Sequence, residues 1–208
     1  RRATILSSAT DSSVTIDTGA YFSGSGLFFP AFEGNASAEL LAASGYDAFA
    51  LNYRDFSAGA SKSEPTGGRL IASYIDRARG LDPSLPPAVV TNLNLTADPW
   101  LIEATVTRAS ATPAGHIAPF ALVPLADGRT AAVLNFIDPT HMYSLTPHYA
   151  ARVHQFDESA VGALAMLRRL PGGLPDVVIA IASDTDAGFF VTDAQVAAAG
   201  GSLVAARA

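Results

Sequence analysis

Two stretches decide how this chain reads: Val14-Thr15-Ile16-Asp17-Thr18-Gly19-Ala20 and Gly45-Tyr46-Asp47-Ala48-Phe49-Ala50-Leu51-Asn52-Tyr53-Arg54-Asp55-Phe56. Each carries a short apolar run that gives way to polar and small residues, as a strand does when it enters a loop. Between them, residues 36–43 are rich in Ala and Leu and predict a helix, which Gly45 stops. Working outward, residues 69–78 place Leu70, Ile71, Tyr74, Ile75 and Ala78 on one helical face. Residues 88–91 read as a strand. Residues 120–124 and 130–136 flank Ala126-Asp127-Gly128-Arg129, a hairpin signal. Residues 158–170 form an amphipathic helix with Ala160, Val161, Leu164 and Leu167 on one side and Asp157 as its cap. The run Val177–Ile181 is wholly apolar. Apolar strands alternating with helices predict an α/β fold whose sheet is covered on both faces.

At 208 residues the chain suits one domain, and we read 1–208 as a single unit. Hydrophobic residues make up 49%, charged residues 15%, and mean hydropathy is +0.26, which excludes a disordered chain. Thirteen basic against nineteen acidic residues give a net charge of −6. With no basic patch, nucleic acid is not an expected partner. No apolar run is long enough to span a membrane, and no signal-peptide pattern opens the sequence. Absence of cysteine removes disulfides, thiolate metal sites and thiol catalysis.

The order of motifs resembles the N-terminal domain of the 5′-nucleotidase family, within the calcineurin-like metallophosphoesterases. The resemblance rests on Ile16-Asp17-Thr18-Gly19-Ala20, Gly24-Ser25, Leu27-Phe28-Phe29, Gly34, Ala38-Glu39-Leu40-Leu41, Gly45-Tyr46-Asp47-Ala48 and Asn52 to Gly59. It continues more loosely through Pro87 to Asn92, Gly128 to Asp138, Asp176 to Ile181 and Gly200-Gly201-Ser202. It implies a sandwich of two β-sheets flanked by α-helices, with the family's C-terminal substrate-binding domain absent. It also implies two divalent metals about 3.5–4 Å apart that clamp a phosphate and activate water.

Ligand by ligand, the residues at those positions are different. The family's bridging aspartate falls at Ala20 and its Asn-His pair at Tyr53-Arg54. A slip of one residue makes Asn52 the asparagine, with Tyr53 in the histidine's place. The histidine after the Val177–Ile181 strand is Ser183, and the last Gly-His is Gly201-Ser202. Asn92 alone is retained as a candidate ligand, with Asp11 or Asp55 as the nearest supplements. We therefore expect no metal cofactor and no catalytic residue at Ala20, Tyr53, Arg54 or Ser183. Arg54 is the one candidate for binding a substrate anion, set against an ordinary salt bridge to Asp55, Asp17 or Glu39, which is the expectation. Asp17 is expected to accept backbone N–H bonds from the turn that follows it.

Other signals carry less. Asp17-Thr18-Gly19 matches an aspartic-protease loop, but that chemistry needs a second carboxylate loop, and none is present. His116, His141, His148 and His154 align with no family ligand; His141 and His148 with Asp138 are a conceivable new metal site, against the commoner surface histidines. Ser23 to Gly26 lacks the glycine of an esterase elbow. Asn35-Ala36-Ser37 and Asn94-Leu95-Thr96 are sequons, and Asn35 also suits a helix cap.

The expected function is a catalytically inactive nucleotidase-like domain that serves as a structural or protein-binding module in a larger assembly. The low charge content points to covered apolar surface, with Leu27 to Phe32 as one contact candidate, set against a core segment, which is the expectation for that run. The alternatives are a metal-dependent nucleotidase or phosphoesterase, and a nucleotide or anion sensor without turnover. The resemblance suggests an extracellular or periplasmic setting, and a cytoplasmic assembly fits the composition equally.

Overall fold

The computed structural model describes residues 14–21, 35–57, 67–96, 98–107, 114–141, 153–154, 156–182 and 202–207, with side chains left aside for 35, 156–158 and 202–207. In chain order these hold β1 (Ile16–Asp17), α1 (Asn35–Ser44), β2 (Ala48–Phe49), α2 (Tyr53–Ser57) and α3 (Gly68–Leu81). There follow β3 (Ala88–Val89), β4 (Ile117–Ala118), β5 (Ala121–Pro124), β6 (Thr130–Phe136), α4 (Phe156–Arg168), β7 (Val177–Ala182) and β8 (Ser202–Arg207).

Two sheets form. In the first, β1 pairs with β2 and β3 with β4, all parallel, and a single bridge between Ala50 and Val89 joins the two pairs. The second has the order β5-β6-β7-β8; β5–β6 is antiparallel and the rest parallel. The antiparallel pair is the expected hairpin. Its turn closes through Leu125 N–H to Arg129 O at 2.8 Å, with Gly128 at φ 84°.

Side chains of a strand point alternately to its two faces, and here each face meets a different layer. Ala131 and Val133 of β6, with Ile181 of β7 and Ala121 and Val123 of β5, face Ala48 and Val89 of the first sheet. Ala132, Leu134 and Phe136 of β6, with Val178 and Ala180 of β7, turn the other way onto Ala160, Ala163, Leu164 and Leu167 of α4. On the far side of the first sheet, Phe49, Ala88 and Val90 pack with Leu41 of α1 and Ile71, Tyr74, Ile75 and Ala78 of α3. The order is helices, sheet, sheet, helix. Each large side chain fully buried in these layers contributes about 1.5–3 kcal/mol.

Two local expectations change. Val161 is 59% exposed. The buried stripe of α4 runs 160, 163, 164, 167, and Val161 lies a hundred degrees around from Ala160, outside it. Helix α4 also starts at Phe156, so Asp157 lies within its first turn instead of ahead of it. The aromatic run 27–32 lies outside the described residues.

Candidate functional site

The parallel strands end at one edge, where open α/β sheets place their sites. The turn leaving β1 folds back on itself. Asp17 accepts the Gly19 N–H at 3.1 Å, as the sequence suggested. Gly19 takes φ 92°, and Ala20 follows at φ 69°, a left-handed geometry that costs a side-chain-bearing residue roughly 1 kcal/mol. What holds it is Asp55. This carboxylate is fully buried; one oxygen accepts Ala20 N–H at 3.0 Å and Asn52 N–H at 2.9 Å. Asn52 in turn accepts Arg54 N–H at 2.9 Å, so Asn52 and Asp55 cap α2 reciprocally. The reading from sequence missed this role of Asp55. The Asn-x-x-Asp spacing was the signal, masked by a family pattern that assigns the segment to metal binding.

Beside this turn lies a cavity of about 270 Å³, lined by Asp17, Gly19, Ala20, Tyr21, Ser37 and Leu41 among others. The Tyr21 ring packs edge-on to Phe49 and at 5.2 Å from Tyr74. Burial raises the Tyr21 hydroxyl pKa well above its ordinary value, and the charge of Asp17 adds to the shift. Among the described residues the hydroxyl has no hydrogen-bond partner of ordinary geometry.

Two asparagines tie the sheets together. Asn92, 1% exposed, donates from Nδ2 to Ile137 O at 2.8 Å and His154 O at 3.2 Å, and its Oδ1 accepts Ile137 N–H at 2.9 Å. Asn135, fully buried on β6, donates to Leu51 O and Val89 O at 2.8 and 2.9 Å, past the end of β2 and on β3. Among the described residues its Oδ1 has no hydrogen-bond partner. Sequence reasoning did not single out Asn135; an amide in an otherwise apolar strand was the available signal.

Arg54, Tyr53, His141 and Asp138 make a further cluster of contacts. Arg54 is exposed and donates from Nε to the Tyr53 hydroxyl at 3.0 Å. Glu39 pairs with Arg77 at 3.1 Å, and one oxygen of the Asp55 carboxylate accepts two backbone N–H groups. The Tyr53 ring stacks at 5.2 Å against His141, whose Nδ1 lies 3.4 Å from Asp138.

Thus Asp55 joins the Ala20 turn to the Tyr53-Arg54 helix, and Asn135 and Asn92 bring the β3 and β6 ends alongside. Ser183 and His148 lie outside the described residues. Among the described residues, no three His, Asp or Glu side chains gather in a way that would hold a metal. His116 is elsewhere, 3.2 Å from Asp76 of α3.

No protein-family model matches this chain, and no curated protein does. Solved structures do. The chain is similar to the NAD nucleotidase NadN of Haemophilus influenzae over 88% of its own length, with a TM-score of 0.59 and 15% identity. It spans 30% of that protein's chain. The calcineurin-like phosphoesterase YfkN from Bacillus subtilis aligns over 92% of this chain and 57% of its own, at TM-score 0.48 and 15% identity. The four layers described above are therefore the metallophosphoesterase-like sandwich, the fold that this chain shares with a nucleotidase.

Proposed function

We propose that this chain is a nucleotidase-type domain that has lost two-metal hydrolysis and serves as a structural, protein-binding module in a larger assembly. The observation that carries the reading is the Ala20 turn. Where the resembled family needs a bridging carboxylate, this chain has a methyl group, and the backbone N–H beside it is tied to buried Asp55. A metal pair requires several hard oxygen and imidazole donors. Tyr53 places a ring there instead, and the Asn92 oxygen already accepts a backbone N–H. These residues do not fit the metal pair, and no chemical step is assigned through it.

The module half of the reading rests on surface composition. Charged residues are 15% of the chain, against about 25% in ordinary soluble domains. Trp100 and Ile102 are 46% and 62% exposed. Such side chains suit a covered face.

The test is metal content with turnover. The expected result is fewer than two divalent ions per chain by elemental analysis, and no hydrolysis of a nucleoside monophosphate or a generic phosphodiester with added manganese or zinc. Two bound ions with chelator-sensitive turnover would overturn the reading in favour of a phosphoesterase with unusual ligands.

A further inference from the structure

We infer that the outer edge of the first sheet, at Ile102, Glu103 and Thr105, is the docking surface for an extended basic segment of a partner protein, which adds to the sheet as one more strand. This deepens the protein-binding half of the reading above and rests on that half alone; the loss of metal chemistry does not enter it.

Beyond β4 the first sheet gains a last extended segment. A parallel bridge joins Glu103 to Ile117 of β4, with Ala104 N–H donating to Ile117 O at 2.7 Å and Ile117 N–H donating to Ile102 O at 3.2 Å. The segment is fixed from behind. Ile102 N–H donates to His116 Nδ1 at 3.1 Å, and Ile102 O also accepts His116 N–H at 2.7 Å. Asp98 accepts Trp100 N–H at 2.8 Å and Leu101 N–H at 2.9 Å. Buried Ala104 lies against Gly115, where a Cβ would come within 2.7 Å of the Ala104 Cα. A partner therefore meets an edge that is already ordered, which lowers the cost of docking.

In a parallel ladder, alternate residues turn their backbone groups to opposite sides. Ile102 and Ala104 turn theirs to β4, so Glu103 and Thr105 turn theirs outward. Among the described residues neither Glu103 nor Thr105 makes a backbone hydrogen bond. Such an edge is a template for another strand, and proteins commonly blunt one with proline or lysine. Residues 101–107 contain neither, and Ile102, Thr105, Val106 and Thr107 are good strand formers.

Charge selects the occupant. Glu103 is exposed and makes no ion pair among the described residues. Asp98 stands at the start of the segment, and two-thirds-exposed Asp76 lies 3.2 Å from His116 behind it. Against these three acids stands Arg69, its Cζ 5.6 Å from the Trp100 ring centroid. A lysine or arginine opposite Glu103 makes a favourable cross-strand pair. Side chains alternate along an extended segment, so Ile102 and Glu103 point to opposite faces. An incoming strand that alternates basic and apolar residues satisfies both. A second copy of this chain, paired edge to edge about Glu103, would set two carboxylates against each other.

The experiment titrates the full chain with a capped peptide of alternating valine and lysine. Trp100 is the single tryptophan, so its fluorescence reports on this region, and amide hydrogen exchange locates the contact. The peptide is expected to shift the emission and to protect the Glu103 and Thr105 amides. The same peptide methylated at every backbone nitrogen keeps its side chains and loses its donors, and should bind about tenfold more weakly. Glu103→Lys should weaken the valine–lysine peptide about fivefold and let a valine–glutamate peptide bind in its place. Glu103 is exposed, so urea unfolding of this variant should match that of the parent. No emission shift and no protection with the valine–lysine peptide, equal binding of the methylated peptide, or unchanged preference in Glu103→Lys overturns the inference. So does protection of Glu103 and Thr105 that rises with chain concentration without peptide, which would put a second copy on this edge. Metal content and turnover are read independently of all these results, so the loss of hydrolysis stands or falls separately.

Discussion

Between the two sheets, Ala48, Val89, Val133 and Ile181 belong to a wholly apolar cluster. At or just past the ends of the same strands, the chain buries Asp17, Asp55, Asn92 and Asn135, none more than 6% exposed. The two regions are held by different physics. The inter-sheet layer depends on volume and alternation, and hydrophobic side chains of similar size could replace one another there. At the edge the Asp55 carboxylate and the Asn92 and Asn135 amides answer to named partners, and losing one leaves others buried without a hydrogen bond. The polar residues at this edge join loop to loop and sheet to sheet. That is why the edge keeps its shape with an alanine at position 20.

The strongest way to break this comparison is at Asp55. Asp55→Ala strands the N–H groups of Ala20 and Asn52 and releases a left-handed alanine, and should cost about 3–5 kcal/mol. Asp55→Asn keeps one acceptor and should cost about 1–2 kcal/mol. Urea unfolding measures both. A loss under about 1 kcal/mol in the alanine variant would mean that the carboxylate does not hold the edge together.

Two glycines sharpen the contrast. Both Gly19 and Gly128 have positive φ, at 92° and 84°. A Cβ on Gly19 would lie 2.9 Å from Asn52 N and 3.0 Å from Ala50 O, whereas one on Gly128 meets nothing within 4 Å. Gly128→Ala should therefore cost only the dihedral strain, about 1 kcal/mol. Gly19→Ala adds a backbone clash and should cost about 2–4 kcal/mol by thermal or urea unfolding. Equal losses would show the β1 turn to be as accommodating as the hairpin.

The third prediction concerns alkaline pH. Burial, before the charge of Asp17, raises Tyr21; burial, before the charge of Asp55, raises Tyr74, which also donates to Ser37 O at 3.3 Å. Both groups keep their protons in the folded chain after the unfolded chain has released them. Their contribution is fully present below about pH 10 and is lost as pH rises beyond it, by about 1.4 kcal/mol per pH unit for each tyrosine. Unfolding free energies measured from pH 8 to 11.5 should stay level to about pH 10 and then fall. Tyr74→Phe should halve the slope. An unchanged slope would show that Tyr74 ionises freely.

The sandwich was legible because its signals are local. The apolar runs Ala131 to Leu134 and Val177 to Ile181 and the Ala-Asp-Gly-Arg turn each fix an element without help from distant residues. The strand-end motifs supplied the order of elements. What could not be read was pairing across the chain. Nothing near Arg54 in sequence says that it orients on Tyr53 while Glu39 goes to Arg77. Nothing near His141 says that its ring meets Tyr53, eighty-eight positions earlier. Asp55 was visible as a residue, but its role depends on Ala20, which it meets only through the β1–β2 pairing. Tertiary contacts of polar groups carry little local sequence signature, and the site is made of them.

Arg79 offers the smallest effect, and it has the opposite sign. This side chain on α3 is half-buried, and among the described residues its Nε and Nη2 have no hydrogen-bond partner. Burial lowers its pKa, partly offset by the charge of Asp76. Asp76 itself is two-thirds exposed and lies against His116, so it gives Arg79 little. At the strand-end edge the Ala20 and Asn52 N–H groups and the Asn92 and Asn135 amides are engaged, and removing a partner costs stability; on Arg79 the two donors lack partners among the described residues, and removing them should help. Arg79→Met keeps the length of the stem and its packing and discards the guanidinium, and should stabilise by about 0.5–1 kcal/mol. Arg79→Ala also loses the stem and should give no gain. Urea midpoints of the two variants, measured side by side, separate the donors from the packing. A destabilised Arg79→Met would mean that the guanidinium is satisfied in solution, and that α3 treats its polar groups as the edge does.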